Sequence, residues 1–334
     1  MFLGINSDQG DKMKDRLPNK ILITLDEALQ ILKTPHADVL VLEVVSDFYQ
    51  ELALQQYRNS RPGPIFAQIK TERLEVGPLW NLNSDSQLQH VLAEYELEPT
   101  TQKQILLYDN IQLVCGKAQS RFDASARLYS ILFYFGFSNV AIILDPDVHP
   151  TFPDEFSAQH QEMISPRFPG FSSSETSLSQ EVPSDQGRWH PKHKEHFVSY
   201  KEMDQMVAGE LGPYRLLDAR SAEEYAGVYT GYEYVALAGR IPTAESVINN
   251  EYQVSAKESL ASVLSRLAAT LEGKGIGHHD RIVWYCGTGW RASRMCALTQ
   301  ALGYLNVAIY DGGWNEWQLH HPEDGREAPW GIDP

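Results

Sequence analysis

The residue in this sequence that is most suited to catalysis is Cys286. It follows the mostly apolar run 281–285 and opens the segment Cys-Gly-Thr-Gly-Trp-Arg. The two glycines let a tight loop turn its backbone N–H groups inward, which makes a nest for an anion. A helix predicted over 292–302 adds the partial positive charge of its N-terminus, and Arg291 adds a full charge. Such surroundings favour a thiolate over a thiol. We therefore interpret Cys286 as a nucleophile; the alternative is a small buried hydrophobe, as most unpaired cysteines are.

The elements that must position this cysteine follow from the hydrophobic pattern. Short apolar runs alternate with helical segments in both halves of the chain, which predicts a mainly parallel sheet flanked by helices. The predicted strands lie at 38–42, 104–108, 140–144, 214–217, 281–285 and 307–310, and the predicted helices at 24–33, 46–57, 85–95, 124–135, 201–208, 221–225, 256–271 and 292–302.

The two halves also read as repeats of one unit. The run Leu107-Tyr108-Asp109 corresponds to Trp284-Tyr285-Cys286, and Leu42-Glu43 corresponds to Leu217-Asp218. Arg127, Gly136 and Asn139-Val140 recur with the same spacing as Arg294, Gly303 and Asn306-Val307. This alignment places Asp109 where the second half has its thiol, so we interpret the first copy as non-catalytic.

The Cys286 segment resembles the active-site loop of the rhodanese (sulfurtransferase) family, whose cysteine carries a persulfide. Three further segments follow the order of the family's motifs: 216–225, 238–242 and 306–314. The resemblance covers 196–330 well and 20–146 weakly. It implies an α/β fold of two tandem rhodanese-like domains, each a mainly parallel sheet with helices on both faces. The expected divisions are a polar leader (1–19), a degenerate non-catalytic domain (20–146), a Pro/Ser-rich linker (147–195) and a catalytic domain (196–330).

The resemblance implies transfer of sulfane sulfur from a donor such as thiosulfate to cyanide or a thiol, through a persulfide on Cys286. It implies no cofactor and no metal. Arg220 and Arg240 are candidates for binding the donor's anionic group, although Arg220 could instead pair with a neighbouring glutamate and Arg240 could be structural. The expected substrate-binding residues are Gly287, Thr288, Gly289, Trp290, Arg291, Arg220 and Arg240.

Several alternatives remain open. The opening Cys-Gly-Thr-Gly resembles the 3-mercaptopyruvate type of loop, yet the segment 63–67 lacks the histidine that would partner Thr288, and the Trp290-Arg291 ending departs from both types. A protein persulfide relay is a further candidate. A cysteine phosphatase would place five residues between its cysteine and arginine, whereas four intervene here. The Asp109 half alone would suggest a non-catalytic interaction module.

Composition limits the partners. With 28 basic and 44 acidic residues, the net charge of −16 argues against nucleic-acid binding and against anionic membranes as the main activity. A small anionic donor is repelled at long range and must be attracted locally, and a thiol acceptor could be a small molecule or a thioredoxin-like protein. A polar N-terminus predicts a cytoplasmic location. Cys115, Cys286 and Cys296 form no disulfide framework; Cys296 is expected in the core and the His-rich segment 190–196 in a solvated linker.

Overall fold

A computed structural model describes residues 20–34, 38–45, 67–77, 79–109, 113–114, 117–118, 122–144, 189–254 and 258–329. The predicted leader (1–19), the helix predicted over 46–57, the segment 63–66, Cys115 and most of the predicted linker (145–188) lie outside these residues.

The first domain is built on a parallel five-stranded sheet with the order β1-β9-β6-β2-β3. Side chains alternate between its two faces, as they must in extended strands: Ile105 and Leu107 face one hydrophobic cluster, and Leu106 and Tyr108 face the other. The sheet strands are β1 (Leu22–Thr24), β2 (Val39–Val45), β3 (Ala67–Lys70), β6 (Gln104–Asp109) and β9 (Val140–Leu144). Two hairpins, β4 (Glu75–Val76) with β5 (Asn81–Leu82) and β7 (Leu113–Val114) with β8 (Lys117–Ala118), lie outside it.

The described helices of this domain are α1 (Leu25–Lys33), α2 (Asp85–Glu94) and α3 (Asp123–Phe135). Thr24 begins α1 because its hydroxyl accepts from the Glu27 N–H while the Glu27 carboxylate accepts from the Thr24 N–H. Gly136 ends α3 with a φ of 91°, a conformation that glycine adopts at little cost. Helix α1 packs on one face of the sheet, and α2 and α3 pack on the other.

The second domain repeats this architecture in the order β10-β15-β14-β11-β13, again with parallel pairs. Its strands are β10 (Phe197–Val198), β11 (Arg215–Asp218), β13 (Glu245–Ser246), β14 (Ile282–Tyr285) and β15 (Val307–Tyr310), with β12 (Ala238–Gly239) and β16 (Gly325–Arg326) paired outside the sheet. The register also corresponds: Asp218 lies opposite Tyr285 as Glu43 lies opposite Tyr108. The two sheets therefore place Cys286 and Asp109 at equivalent strand ends.

The described helices of the second domain cover both faces of its sheet. Helices α4 (Tyr200–Val207) and α8 (Gly313–His320) pack on the outer face, and α6 (Leu260–Gly273) and α7 (Trp290–Ala301) pack on the face toward the first domain. The short α5 (Ala222–Ala226) follows β11. Helix α7 packs against α3, so one hydrophobic cluster runs through both domains. The predicted α/β fold with two tandem domains is confirmed.

The segment 189–196 corrects the expectation of a solvated linker. Trp189 packs edge-on against Phe135 at 4.7 Å, and the Phe133 ring lies between those of His193 and His196, at 4.4 and 4.8 Å. Burial lowers the pKa of His196 to about 3, which keeps the ring neutral at ordinary pH. The aromatic character of this segment, rather than its charge, decides its placement. Among the described residues, no helix has the length and apolarity that crossing a membrane requires.

Candidate active site

Strand β14 delivers Cys286 to the carboxyl edge of the second sheet. Since Ile282 and Trp284 face the first domain, the alternation turns Cys286 to the same side, where it is fully buried. The Cys286 carbonyl accepts from the Trp314 N–H at 2.8 Å, which anchors the loop to the N-terminus of α8. Gly313 permits this approach, because a Cβ there would lie 2.5 Å from the Cys286 carbonyl oxygen and its φ is 56°.

The loop after Cys286 is shorter than the sequence predicts. Helix α7 begins at Trp290 rather than at Ala292, because Gly289 adopts a φ of 85° and already accepts from the Ser293 N–H at 2.9 Å. Gly289 also lies against the first domain: a Cβ on it would be 2.7 Å from Nη1 of Arg127. Arg291 therefore belongs to the first turn of the helix, and Gly287, Thr288 and Gly289 alone form the turn.

Arg291 is held by a buried glutamate that sequence reasoning did not assign to the site. Its Nη1 and Nη2 atoms donate to the two carboxylate oxygens of Glu224 at 2.6 and 2.8 Å. Burial alone would raise the pKa of Glu224, but the Arg291 guanidinium outweighs burial and lowers it. The pair is therefore ionised, while Arg291 Nε is buried without a hydrogen-bond partner in the described residues. The signal in the sequence was the capping box Ser221…Glu224, which fixes the glutamate at the start of α5.

An aromatic row covers the loop. The Tyr232 ring lies 5.4 Å from the Arg291 guanidinium carbon and against Gly287, where a Cβ would overlap the ring. Tyr234 stacks on Tyr232 with ring centroids 5.1 Å apart, and Trp80 of the first domain lies 6.3 Å from Tyr234. Burial raises the pKa of Tyr232 well above its usual value, so its hydroxyl stays protonated. The tyrosines at 229, 232 and 234 were the available sequence signal for this feature.

Arg220 does not face a donor, contrary to the prediction from the sequence. Its side chain is 1% exposed and forms a bidentate pair with Asp218, Nε to Oδ1 at 3.0 Å and Nη2 to Oδ2 at 2.7 Å. The alternative pairing with Glu223 or Glu224 is also wrong. Burial opposes the charged form of Arg220, but Asp218 more than compensates and raises the pKa of the guanidinium. Asp218 additionally accepts from the Tyr285 hydroxyl at 2.5 Å, so this arginine is a core residue.

Arg240 is exposed, and its guanidinium carbon lies 4.8 Å from the Tyr225 ring centroid. Its role as a donor-binding residue stays a prediction. Cys296 lies within α7 and is fully buried, as expected of a core residue, and burial raises the pKa of its thiol. Cys115 lies outside the described residues.

Trp290 faces the first domain rather than the thiol pocket. Its indole Nε1–H donates to both carboxylate oxygens of Glu75, at 2.9 and 3.0 Å. The same carboxylate accepts from Arg127 Nε at 2.7 Å. Residues that the sequence assigned to a degenerate domain therefore contact the loop that carries the candidate nucleophile.

Asp109 occupies the equivalent strand end in the first domain. Its carboxylate accepts from the Ser125 N–H at 2.6 Å, from the Ser125 hydroxyl at 2.7 Å and from the Ala124 N–H at 3.1 Å. Burial raises the pKa of Asp109 to about 8 despite these donors. The carboxyl group thus fills the N-terminus of α3.

The second domain matches a known family in comparison with known proteins. Residues 199–320 match the rhodanese-like domain model. The chain is 25% identical over 257 residues to thiosulfate sulfurtransferase YnjE of Escherichia coli, covering 75% of this chain and 52% of the relative. It is 28% identical over 171 residues to a thiosulfate sulfurtransferase of Pseudomonas aeruginosa, covering 50% and 60%. This chain therefore spans between half and three-fifths of the length of these relatives.

Solved structures share the fold at lower identity. The crystal structure of YnjE aligns with a TM-score of 0.60 at 23% identity, covering 94% of this chain and 69% of that one. An anaerobic ergothioneine biosynthesis enzyme from Chlorobium limicola, in complex with its natural substrate trimethyl histidine, aligns with a TM-score of 0.63 at 22% identity, covering 95% and 71%.

Proposed function

We propose that this chain, whose residues 199–320 form a rhodanese-like domain, is a sulfurtransferase that carries sulfane sulfur as a persulfide on Cys286. The observation that carries this proposal is the thiol directly after β14, with only three residues between it and the first residue of α7. The equivalent strand end of the first domain carries Asp109, and a carboxylate cannot carry sulfane sulfur.

In the first half-reaction the Cys286 thiolate attacks the outer sulfur of the donor. A new S–S bond forms, the donor's own bond to that sulfur breaks, and the remainder leaves with the electron pair, as sulfite when thiosulfate is the donor. The backbone N–H groups of the turn and the α7 N-terminus stabilise the negative charge on sulfur before and after transfer. This is covalent catalysis by a nucleophile that requires no metal.

In the second half-reaction the acceptor attacks the outer sulfur of the persulfide. Cyanide becomes thiocyanate, or a thiolate becomes a persulfide, and the Cys286 thiolate leaves with the electrons of the broken S–S bond. The acceptor thiol belongs to a small molecule or to a thioredoxin-like protein. Cys286 is fully buried and the Tyr232 ring lies against the adjacent Gly287, so the loop must open for either partner to reach the thiol.

The pairing of Arg291 with Glu224 bears on the choice of substrate. Glu224 accepts from both Nη atoms and compensates the positive charge of Arg291, which supports sulfur chemistry over a phosphatase reaction, since a phosphate dianion needs an uncompensated cation. The buried Nε–H remains available to a sulfur anion. Since Glu224 neutralises the arginine, attraction for a dianionic donor is weak, which makes a protein persulfide a reasonable alternative to thiosulfate or 3-mercaptopyruvate.

The test is turnover with thiosulfate, 3-mercaptopyruvate and a protein persulfide as donors and cyanide or a thiol as acceptor. We expect transfer with at least one donor in the parent protein and in Cys296→Ser and Cys115→Ala, and none in Cys286→Ala. Transfer at the parental rate in Cys286→Ala, or no transfer from any donor in the parent, would refute the proposal.

Trimethyl histidine is a second candidate acceptor. The aromatic row of Tyr232, Tyr234 and Trp80 leads to the loop, and aromatic faces attract trimethylammonium groups. The sulfur-loaded protein should then lose its sulfur to trimethyl histidine faster than to histidine. Equal rates would remove this candidate and leave the sulfurtransferase proposal standing.

A further inference from the structure

The hairpin of β4 and β5 in the first domain docks on the second domain beside the Cys286 loop. The Leu82 N–H donates to Asp311 Oδ2 at 2.7 Å, and Asn81 Nδ2 donates to Glu316 Oε1 at 2.9 Å. Both acceptors lie at the junction of β15 and α8, the helix that anchors the Cys286 carbonyl. The hairpin is therefore fixed to the same framework that holds the loop.

Glu75 begins this hairpin and is the residue through which the hairpin contacts the loop itself. Its side chain is 1% exposed and is bound from two sides, by the Trp290 indole and by Arg127. Arg127 Nη2 in turn pairs with Asp311 Oδ1 at 2.5 Å. Four residues from four separate segments thus form one buried network, and Trp290 is the member that belongs to the loop.

The geometry explains how this network acts on the turn. Trp290 is the first residue of α7, directly after Gly289, whose backbone rests against Arg127 Nη1. The turn is therefore supported from behind at two consecutive residues. Holding the indole fixes the direction of the N–H groups between Cys286 and Trp290, on which stabilisation of a sulfur anion depends.

We propose that Glu75 is a positioning residue for sulfur transfer, acting on the Cys286 loop through the indole N–H of Trp290. This inference rests on the proposed function of Cys286. It gives the first domain a role in the reaction: its own strand end carries no thiol, but it holds the loop of the domain that does.

The charge of Glu75 gives the network a pH dependence. The groups that face its carboxylate are the Arg127 guanidinium, the Asp311 carboxylate and the Trp290 N–H. Burial raises the pKa of Glu75 to about 7 although Arg127 pulls it down. The carboxylate is therefore charged above about pH 7 and neutral below it, and a charge-assisted hydrogen bond is stronger than a neutral one. Loop positioning should weaken as the pH falls through 7.

The experiment compares Glu75→Gln, Trp290→Phe and the double variant with the parent. Glu94→Gln is the matched control, because Glu94 also pairs with an arginine of the same domain, accepting two hydrogen bonds from Arg73, but lies away from the loop. Two rates are measured between pH 5.5 and 8.5: alkylation of Cys286 by iodoacetamide, located by peptide mapping, and persulfide formation from the best donor. Melting temperatures are recorded for every variant.

We expect Trp290→Phe to slow both rates about tenfold and Glu75→Gln about threefold, with the double variant no slower than Trp290→Phe, because both residues act through one bond. The parental rates should contain a step near pH 7 that both variants lack and that Glu94→Gln retains.

Lower melting temperatures with unchanged rates would overturn the inference, since the network would then only fasten the domains. Additive effects in the double variant would overturn it as well. Failure of the proposed function is distinguishable: a parent that accepts no sulfur from any donor refutes that proposal, while alkylation still reports whether Glu75 positions the loop.

Discussion

The ends of β6 and β14 are equivalent positions in two similar sheets, yet they carry different functional groups. Each strand is third in its sheet, each ends on the face toward the other domain, and each is followed by a helix. In the first domain the Asp109 carboxyl occupies the N-terminus of α3 with three hydrogen bonds. In the second domain the three-residue turn leads straight from Cys286 into α7.

The difference indicates that a helix N-terminus becomes a reaction site only when the chain does not fill it. Asp109 satisfies the orphan N–H groups of α3 from inside the protein, which stabilises the domain and leaves no room for a sulfur anion. A thiol at the same place contributes little capping, but its thiolate can take a sulfane sulfur atom from a donor, whose remainder leaves with the electron pair. The first copy therefore has a filled helix N-terminus at this position, and its side chains contact the second domain.

The repeated arginines agree with this interpretation. Arg127 in α3 and Arg294 in α7 occupy corresponding places, and each reaches the other domain: Arg127 pairs with Asp311, and Arg294 Nε lies 3.1 Å from Asp123 Oδ1. These two arginines thus join the domains, while Arg291, in the first turn of α7, pairs within its own domain.

The largest effect is expected for the Arg220–Asp218 ion pair. In the first domain, Val45 occupies the position that corresponds to Arg220, so the same pair cannot form there. Arg220→Ala should destabilise the protein by about 3–5 kcal/mol, because Asp218 is left as an unpaired buried charge. Arg215→Ala, at the start of β11 and with a partly exposed glutamate partner, should cost about 1 kcal/mol or less. Urea denaturation measures both. Equal, small losses would show that Arg220 is not a core residue.

The second prediction tests the carboxyl group that replaces the thiol. The folded pKa of Asp109, about 8, lies above its unfolded value of about 3.9. Its stabilising contribution is therefore fully present below about pH 4 and is lost as the pH rises toward 8. The stability advantage of the parent over Asp109→Asn should shrink by roughly 1–3 kcal/mol between pH 5 and 8. Denaturation midpoints at several pH values measure it, and a constant difference would contradict the assignment.

A smaller effect is expected at the Arg291–Glu224 pair of the second domain. Glu224→Gln removes the negative partner, so the arginine should attract anions more strongly. We expect the ratio of iodoacetate to iodoacetamide alkylation at Cys286 to rise about three- to tenfold, in line with about 1 kcal/mol of electrostatic attraction. Glu223→Gln, an exposed neighbour, is the control. An unchanged ratio would show that Arg291 does not attract anions to Cys286.

The smallest effect should come from Arg240, whose guanidinium lies over the exposed face of Tyr225. Arg240→Ala should change stability by less than about 1 kcal/mol. If Arg240 helps bind an anionic donor, as the sequence predicts, KM should rise about twofold with kcat unchanged. Donor kinetics at low and high salt decide this, and an unaltered KM would remove Arg240 from the site.

Much of the fold follows from local pattern. The strand predicted over 140–144 and the strand predicted over 307–310 match β9 and β15. The position of Cys286 at a strand end beside a helix is also readable from the sequence, because hydrophobic period and glycine placement are local signals.

The partners of the site could not be predicted in the same way. Arg291 pairs with Glu224, which is 67 residues away in the sequence, and Trp290 pairs with Glu75, which is 215 residues away. Each choice depends on which side chains the folded sheets bring together, which spacing along one chain does not encode. The early start of α7 depends on the positive φ of Gly289, which the docking of Arg127 and Asp311 supports.

Intact mass measurement shows whether the strand-end thiol of the second domain, Cys286, carries sulfur. The parent protein, Cys286→Ala and Cys296→Ser are incubated with each donor under anaerobic conditions, desalted and weighed, and the added mass is located by peptide mapping. We expect one added sulfur atom on Cys286 in the parent and in Cys296→Ser, which cyanide removes, and none in Cys286→Ala. Sulfur located on another cysteine, or retained by Cys286→Ala, would contradict it.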